Sequence, residues 1–196
     1  MSSTRFNVSW PARPRLVGGA LALLTALYPF LVYFGLAHVA PRTIGLALIA
    51  LLALRLALGW RATPPGGRAA ALGVVGALAL LMTIDGLAAT MAYPVLVNAA
   101  FAALFAASLL KGPTAIERIA RLVEPTLDRP GIAYTRRVTQ VWLGFFVVNG
   151  AVSWATAVYG TLEQWTLYNG LIAYLLIGAL FGGEYLVRRR VRHEAA

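Results

Sequence analysis

Ala88–Leu110 reads AATMAYPVLVNAAFAALFAASLL, a run without one charged side chain. A helix rising about 1.5 Å per residue over that length crosses a hydrocarbon core of roughly 30 Å. The run is continuously apolar and lacks the alternation of a barrel strand, so a helix is the form that satisfies its backbone in lipid. Comparable stretches flank it at Leu16–Ala37, Ile44–Trp60, Ala69–Ile84, Val138–Tyr159 and Thr166–Val187, the third in chain order being the shortest. The expected fold is therefore all-α: a polytopic membrane protein of about six transmembrane helices in a single membrane domain spanning residues 1–196. It divides into an N-terminal segment (1–15), four spans (16–110), a loop (111–137), two spans (138–187) and a basic tail (188–196).

Composition agrees. Of 196 residues, 60% are hydrophobic and 12% charged, about half the charged share of soluble domains. The missing polar surface must face lipid. The chain has no cysteine, which excludes disulfides, thiolate metal sites and cysteine nucleophiles. Leu16–Ala37 is longer than the apolar core of a signal peptide and no clear small-residue cleavage site follows it, so it reads as a retained span.

The net charge of +10 comes from 17 basic against 7 acidic side chains. The basic residues sit at span ends, which points to anionic lipid headgroups and not to nucleic acid. Arg5, Arg13 and Arg15 precede the first span, and Arg61 and Arg68 separate the second from the third. Lys111, Arg118, Arg121, Arg129, Arg136 and Arg137 lie between the fourth and fifth, and Arg188, Arg189, Arg190 and Arg192 follow the sixth. The three remaining loops hold only Arg42 as a basic residue, with Asp85 and Glu163. The positive-inside rule puts the arginine-rich ends, both termini included, in the cytoplasm. Trp10, Trp60, Tyr93, Tyr159, Trp165 and Tyr168 fall near span ends and read as interfacial anchors. Asp85-Gly86 suits a tight turn.

The long loop carries its own helix. Ile116, Ile119, Ala120 and Val123 recur at helical spacing, with Glu117, Arg118, Arg121 and Glu124 on the other face. Thr114 and Glu117 fit a capping box after Pro113, and Pro125 ends the segment. A short amphipathic helix lying in the membrane interface is the expectation.

Several polar positions have two readings. Asn98 and Asn149 fall near the middle of antiparallel spans, where they serve either as interhelical packing bonds or as the lining of a polar path. Arg55 either snorkels to the interface or is a paired intramembrane charge, and Glu184 can pair with it or with a loop arginine. Arg118, Arg121, Arg136 and Arg137 either set topology or bind headgroups or partners, since guanidinium forks suit phosphate. Gly178/Gly182 and Ala69/Gly73/Ala77 are small-residue faces for a contact within the chain or in a homo-oligomer. His38 and His193 are isolated, and no metal-ligand or nucleophile motif occurs. No catalytic residue, cofactor or metal is expected.

The segments Gly112–Leu122, Ala133–Trp142, Phe145–Gly150, Trp165–Ile172 and Gly183–Arg189 together resemble an uncharacterised family of small bacterial inner-membrane proteins encoded beside fatty-acid-like or aryl-polyene biosynthesis genes. The Pro-x-x-Ile-x-Arg loop, the Trp and Phe-Phe of the next span and the Trp opening the last also resemble, more distantly, the intracellular septation protein A family. The resemblance covers about residues 111–190. It implies a non-enzymatic part in envelope or polyene-like lipid metabolism, with membrane lipids and membrane or biosynthetic proteins as partners. A small transporter or flippase of a lipidic substrate is the alternative, and a membrane-embedded enzyme the third. A condensing-enzyme role is disfavoured, because that chemistry uses a cysteine nucleophile.

Overall fold

The computed structural model describes Leu27, Phe34, Gly35 and residues 38–194 apart from Val123, with backbone alone for Pro41 and residues 188–194. The expected first span, Leu16–Ala37, lies outside the described residues save for Leu27, Phe34 and Gly35, as do Trp10, Arg5, Arg13 and Arg15.

The described chain forms α1 (Pro41–Gly59), α2 (Pro65–Ile84), α3 (Gly86–Leu110), the short α4 (Ala115–Ala120), α5 (Arg129–Tyr159), α6 (Leu162–Leu167), a π-helical turn (Tyr168–Ile172) and α7 (Ala173–Glu194). Five stretches are long and apolar enough to cross a membrane: Arg42–Gly59, Pro65–Ile84, Gly86–Leu110, Arg129–Tyr159 and Leu162–Val187. The protein is thus an all-α, multi-pass membrane protein.

Local chemistry sets the helix starts. Pro41 and Pro65 open α1 and α2, where a missing N–H costs nothing. Asp85 caps α3, its Oδ1 accepting from Leu87 N (2.8 Å) and Ala88 N (3.1 Å). Asp128 caps α5 through Gly131 N (2.8 Å), with Pro130 in the first turn. That cap starts α5 well ahead of the apolar edge expected at Val138. Thr161 and Gln164 form a reciprocal capping box that starts the last span at Leu162, also ahead of the expected edge.

The helices run antiparallel in sequence order around α3, which packs most extensively on α5, then on α2 and α1. One end of the bundle holds the Asp85 and Gly160 turns (the turn end). The other holds the 111–128 connection (the loop end). At the turn end Leu48, Val74, Leu78, Tyr93 and Trp165 form the apolar core. Towards the loop end Phe101 stacks on Phe146 at 5.0 Å, Phe105 meets it edge-on at 5.1 Å, and Trp142 meets Phe181 of α7 at 4.7 Å.

Three expected interfacial anchors lie inside instead. Trp165 and Tyr93 belong to the buried core, Trp165 donating through Nε1 to Met91 O at 3.3 Å. Tyr168 points inward to Asn149. Helices associating in lipid gain little from apolar burial and rely on close packing and interhelical hydrogen bonds, so rings with a polar handle are drawn into the contact. Trp60 and Tyr159 do stand exposed at span ends, Arg68 lying 4.8 Å over the Trp60 ring. Gly73, Gly178 and Gly182 have open space where a Cβ would be. At these three glycines no neighbouring helix comes close among the described residues.

Candidate functional site

Polar side chains gather in two places. The first is a layer across the middle of the bundle. Asn98 stands at the centre of α3 and donates through Nδ2 to Pro94 O one turn back (2.8 Å). Its Oδ1 accepts from Asn149 Nδ2 of α5 (3.0 Å), whose own Oδ1 accepts from the Tyr168 hydroxyl (2.9 Å). One turn along α5, Ser153 donates to Asn169 Oδ1 (2.7 Å). Asn169 Nδ2 donates to Trp165 O (2.9 Å) and Thr156 Oγ1 (3.4 Å). Asn98, Asn149, Ser153 and Asn169 are all buried. Gly150 permits the approach, since a Cβ there would stand 3.1 Å from Asn98 Cβ.

This layer joins α3 to α5 and α5 to the last span, at the point where the last span turns π-helical. The Ala173 N–H reaches back five residues to Tyr168 O. Such turns occur mostly as single bulges within α-helices, often at functional positions. The expected pair Asn98 and Asn149 is thus brought together, while Tyr168, Ser153, Thr156 and Asn169 were missed. A signal for them is present: Thr135, Thr139, Trp142, Phe146, Asn149, Ser153 and Thr156 recur at alternating spacings of four and three, one face of a helix. Five of them, Thr135, Thr139, Trp142, Asn149 and Ser153, are buried.

The second place is the loop end. Ser108 of α3 accepts from Ala115 N (3.0 Å), and Thr139 of α5 accepts from Ile116 N (3.4 Å), so α4 is pinned by its exposed N–H groups to both neighbouring spans. The capping box is present: Thr114 Oγ1 accepts from Glu117 N (3.3 Å) and Glu117 Oε2 from Thr114 N (3.3 Å). Glu117 Oε1 accepts from Arg121 Nε (2.9 Å) and Nη2 (2.7 Å), a two-point ion pair.

Here the structure corrects the sequence reading. The helix spans Ala115–Ala120 and ends ahead of Pro125. One residue of the polar face is buried and one of the apolar face is exposed: Glu117 is only 5% exposed and Ile119 59%, while Ala120 is buried and Arg118 and Glu124 are exposed as the pattern expects. The carboxylate turns inward because donors await it there, and Ile119 turns outward.

The four loop arginines separate by role. Arg121 is spent on Glu117 and on Pro125 O (3.1 Å). Arg118 Nε donates to Pro113 O (3.0 Å) and Arg136 Nη1 to Leu109 O (3.3 Å), and both side chains are exposed. Arg137 is exposed and has no ion pair or hydrogen bond to any described residue. Arg55 stands exposed on α1, five positions before Trp60. Glu184 Oε1 and O lie 3.4 Å from the Tyr134 hydroxyl that donates to them, tying α7 to α5 at the loop end.

Among the described residues no three His, Asp or Glu side chains converge on a metal-sized site. No known family, curated protein or solved structure matches this chain.

Proposed function

We propose that this protein is a non-enzymatic component of a bacterial inner membrane, organising lipid intermediates or partner proteins of envelope or polyene-like lipid metabolism at the cytoplasmic leaflet. The carrying observation is the loop end: a short helix locked to two spans by Ser108 and Thr139 and capped by its own Glu117, with Arg118, Arg136 and Arg137 exposed around it. Such a platform presents three guanidinium groups, two of them tethered to backbone carbonyls. Arg61, Arg68 and the α7 tail emerge at the same end, and the positive-inside rule supports a cytoplasmic placement for it and for both termini. The resemblance of residues 111–190 supports the metabolic setting. The midplane amides lend no support to a transport path, because Asn98 and Asn149 bond each other across a helix contact.

In the native host, the combined Arg118→Gln, Arg136→Gln and Arg137→Gln variant tests this reading, Arg121 being kept because it holds Glu117. Normal insertion and abundance with the lipid or pigment profile of a deletion strain is the expected outcome. A wild-type profile would overturn it.

A further inference from the structure

We infer that the turn at the end of α3, Leu109–Pro113, is a phosphate site for an anionic lipid headgroup, with Lys111, Arg118 and Arg136 as its ligands. This rests on the platform reading above and names what the platform holds. Two arginines from different helices close on the same turn. Arg118 of α4 donates to Pro113 O (3.0 Å), and Arg136 of α5 to Leu109 O (3.3 Å). Lys111 stands between those carbonyls in sequence and is exposed.

A guanidinium has five N–H donors in a rigid fork. Each arginine gives one to a carbonyl of the turn, which fixes its plane, and four remain. The carbonyls at a helix C-terminus would ordinarily repel an anion, but here Leu109 O is covered by Arg136, and Arg118 covers the Pro113 carbonyl at the far side of the turn. Gly112 takes φ +93°, and a Cβ placed on it would meet nothing within 4 Å, so the apex of the turn is open. The nearby buried acid, Glu117, is committed to Arg121 and Thr114 N and does not compete.

Phosphate could come from a lipid or from solution. The surroundings favour lipid. Leu110 is 82% exposed within the turn itself, and Ile119 and Leu122 are exposed beside Arg118 and Arg121. Large apolar side chains set among cations suit a position where acyl chains meet headgroups.

The test uses the full chain in a neutral detergent, read by native mass spectrometry. Phosphatidylglycerol is titrated against phosphatidylcholine, and inorganic phosphate and glycerol phosphate are added as competitors. Wild type should retain phosphatidylglycerol, and the combined Lys111→Gln, Arg118→Gln, Arg136→Gln variant should lose about tenfold or more in affinity. The equally discharged Arg42→Gln, Arg61→Gln, Arg129→Gln variant should retain it. Lys111→Gln alone should weaken binding too, and it disturbs no contact of the fold, so a misfolded triple variant leaves the question decidable. Equal losses in both triple variants would overturn the site. So would displacement by inorganic phosphate at concentrations comparable to the lipid, since the source would then be soluble. The readout needs no pathway. Retained binding with an unchanged lipid profile in the host would sink the platform's metabolic role alone. Lost specificity with a changed profile would sink this site alone.

Discussion

The polar layer at mid-bundle and the polar loop end use similar residues for opposite purposes. At mid-bundle, Asn98, Asn149 and Tyr168 form one chain of bonds, and Ser153, Asn169 and Thr156 another, each ending on a backbone carbonyl. In lipid an unbonded polar group has no water to fall back on, so a layer of this kind must close on itself. Thr166 Oγ1, beside Trp165, is the one buried side-chain oxygen among the described residues left without a partner. At the loop end, closure is partial. Glu117, Thr114, Ser108 and Thr139 are consumed in holding α4, but Arg118, Arg136 and Arg137 keep most of their donors. A closed polar layer fixes helix register, and a half-open one can bind.

That contrast can be broken at graded cost. The largest effect is expected from Asn149→Leu, which strands Asn98 Oδ1 and the Tyr168 hydroxyl together. A loss of about 2–3 kcal/mol in unfolding free energy in mixed micelles is predicted. The double variant with Asn98→Leu should cost less than the two singles summed, as coupled partners do. Additivity would mean that the two amides do not share a bond. Glu117→Ala removes half of a capping box and the partner of Arg121, for about 1–2 kcal/mol. It should also raise proteolysis between residues 112 and 128, while Asn149→Leu should leave that segment protected. Thr161→Ala, away from both regions, should cost about 1 kcal/mol as a lost cap. Arg137→Gln should change stability by less than about 0.5 kcal/mol. A larger loss there would show that the loop end is as closed as the mid-bundle.

The five described spans, the Asp85 turn and the Thr114/Glu117 box are legible in the sequence because each depends on local chemistry: an apolar run, a short acid before a helix, a hydroxyl three residues from a carboxylate. The faces of α4 are not. Hydropathy periodicity finds two sides of a helix, but in a membrane protein the apolar side can face lipid as readily as core, so the sign of the pattern is lost. The inward turn of Glu117 is therefore not readable from the pattern. Hydropathy also measures membrane thickness and not helix length, which is why the Asp128 cap, and with it the early start of α5, escapes it. Tyr93, Trp165 and Tyr168 read as anchors because their position along the chain fits an interface, and only tertiary packing reveals that they face inward. The π-helical turn has no local sequence signature. It becomes visible once Asn169 is seen bonded to both Ser153 and Trp165 O.

The central claim is that the loop end, with its exposed arginines, faces the cytoplasm while the turns at Asp85 and Gly160 face the other side. The chain has no native cysteine, so single cysteines can be introduced without background. Glu124→Cys and Glu163→Cys, treated with a membrane-impermeant maleimide in intact cells and again after permeabilisation, give the most direct test. Glu163→Cys is predicted to label in intact cells, and Glu124→Cys only after the membrane is opened. Labelling of Glu124→Cys in intact cells, with Glu163→Cys protected, would contradict the account.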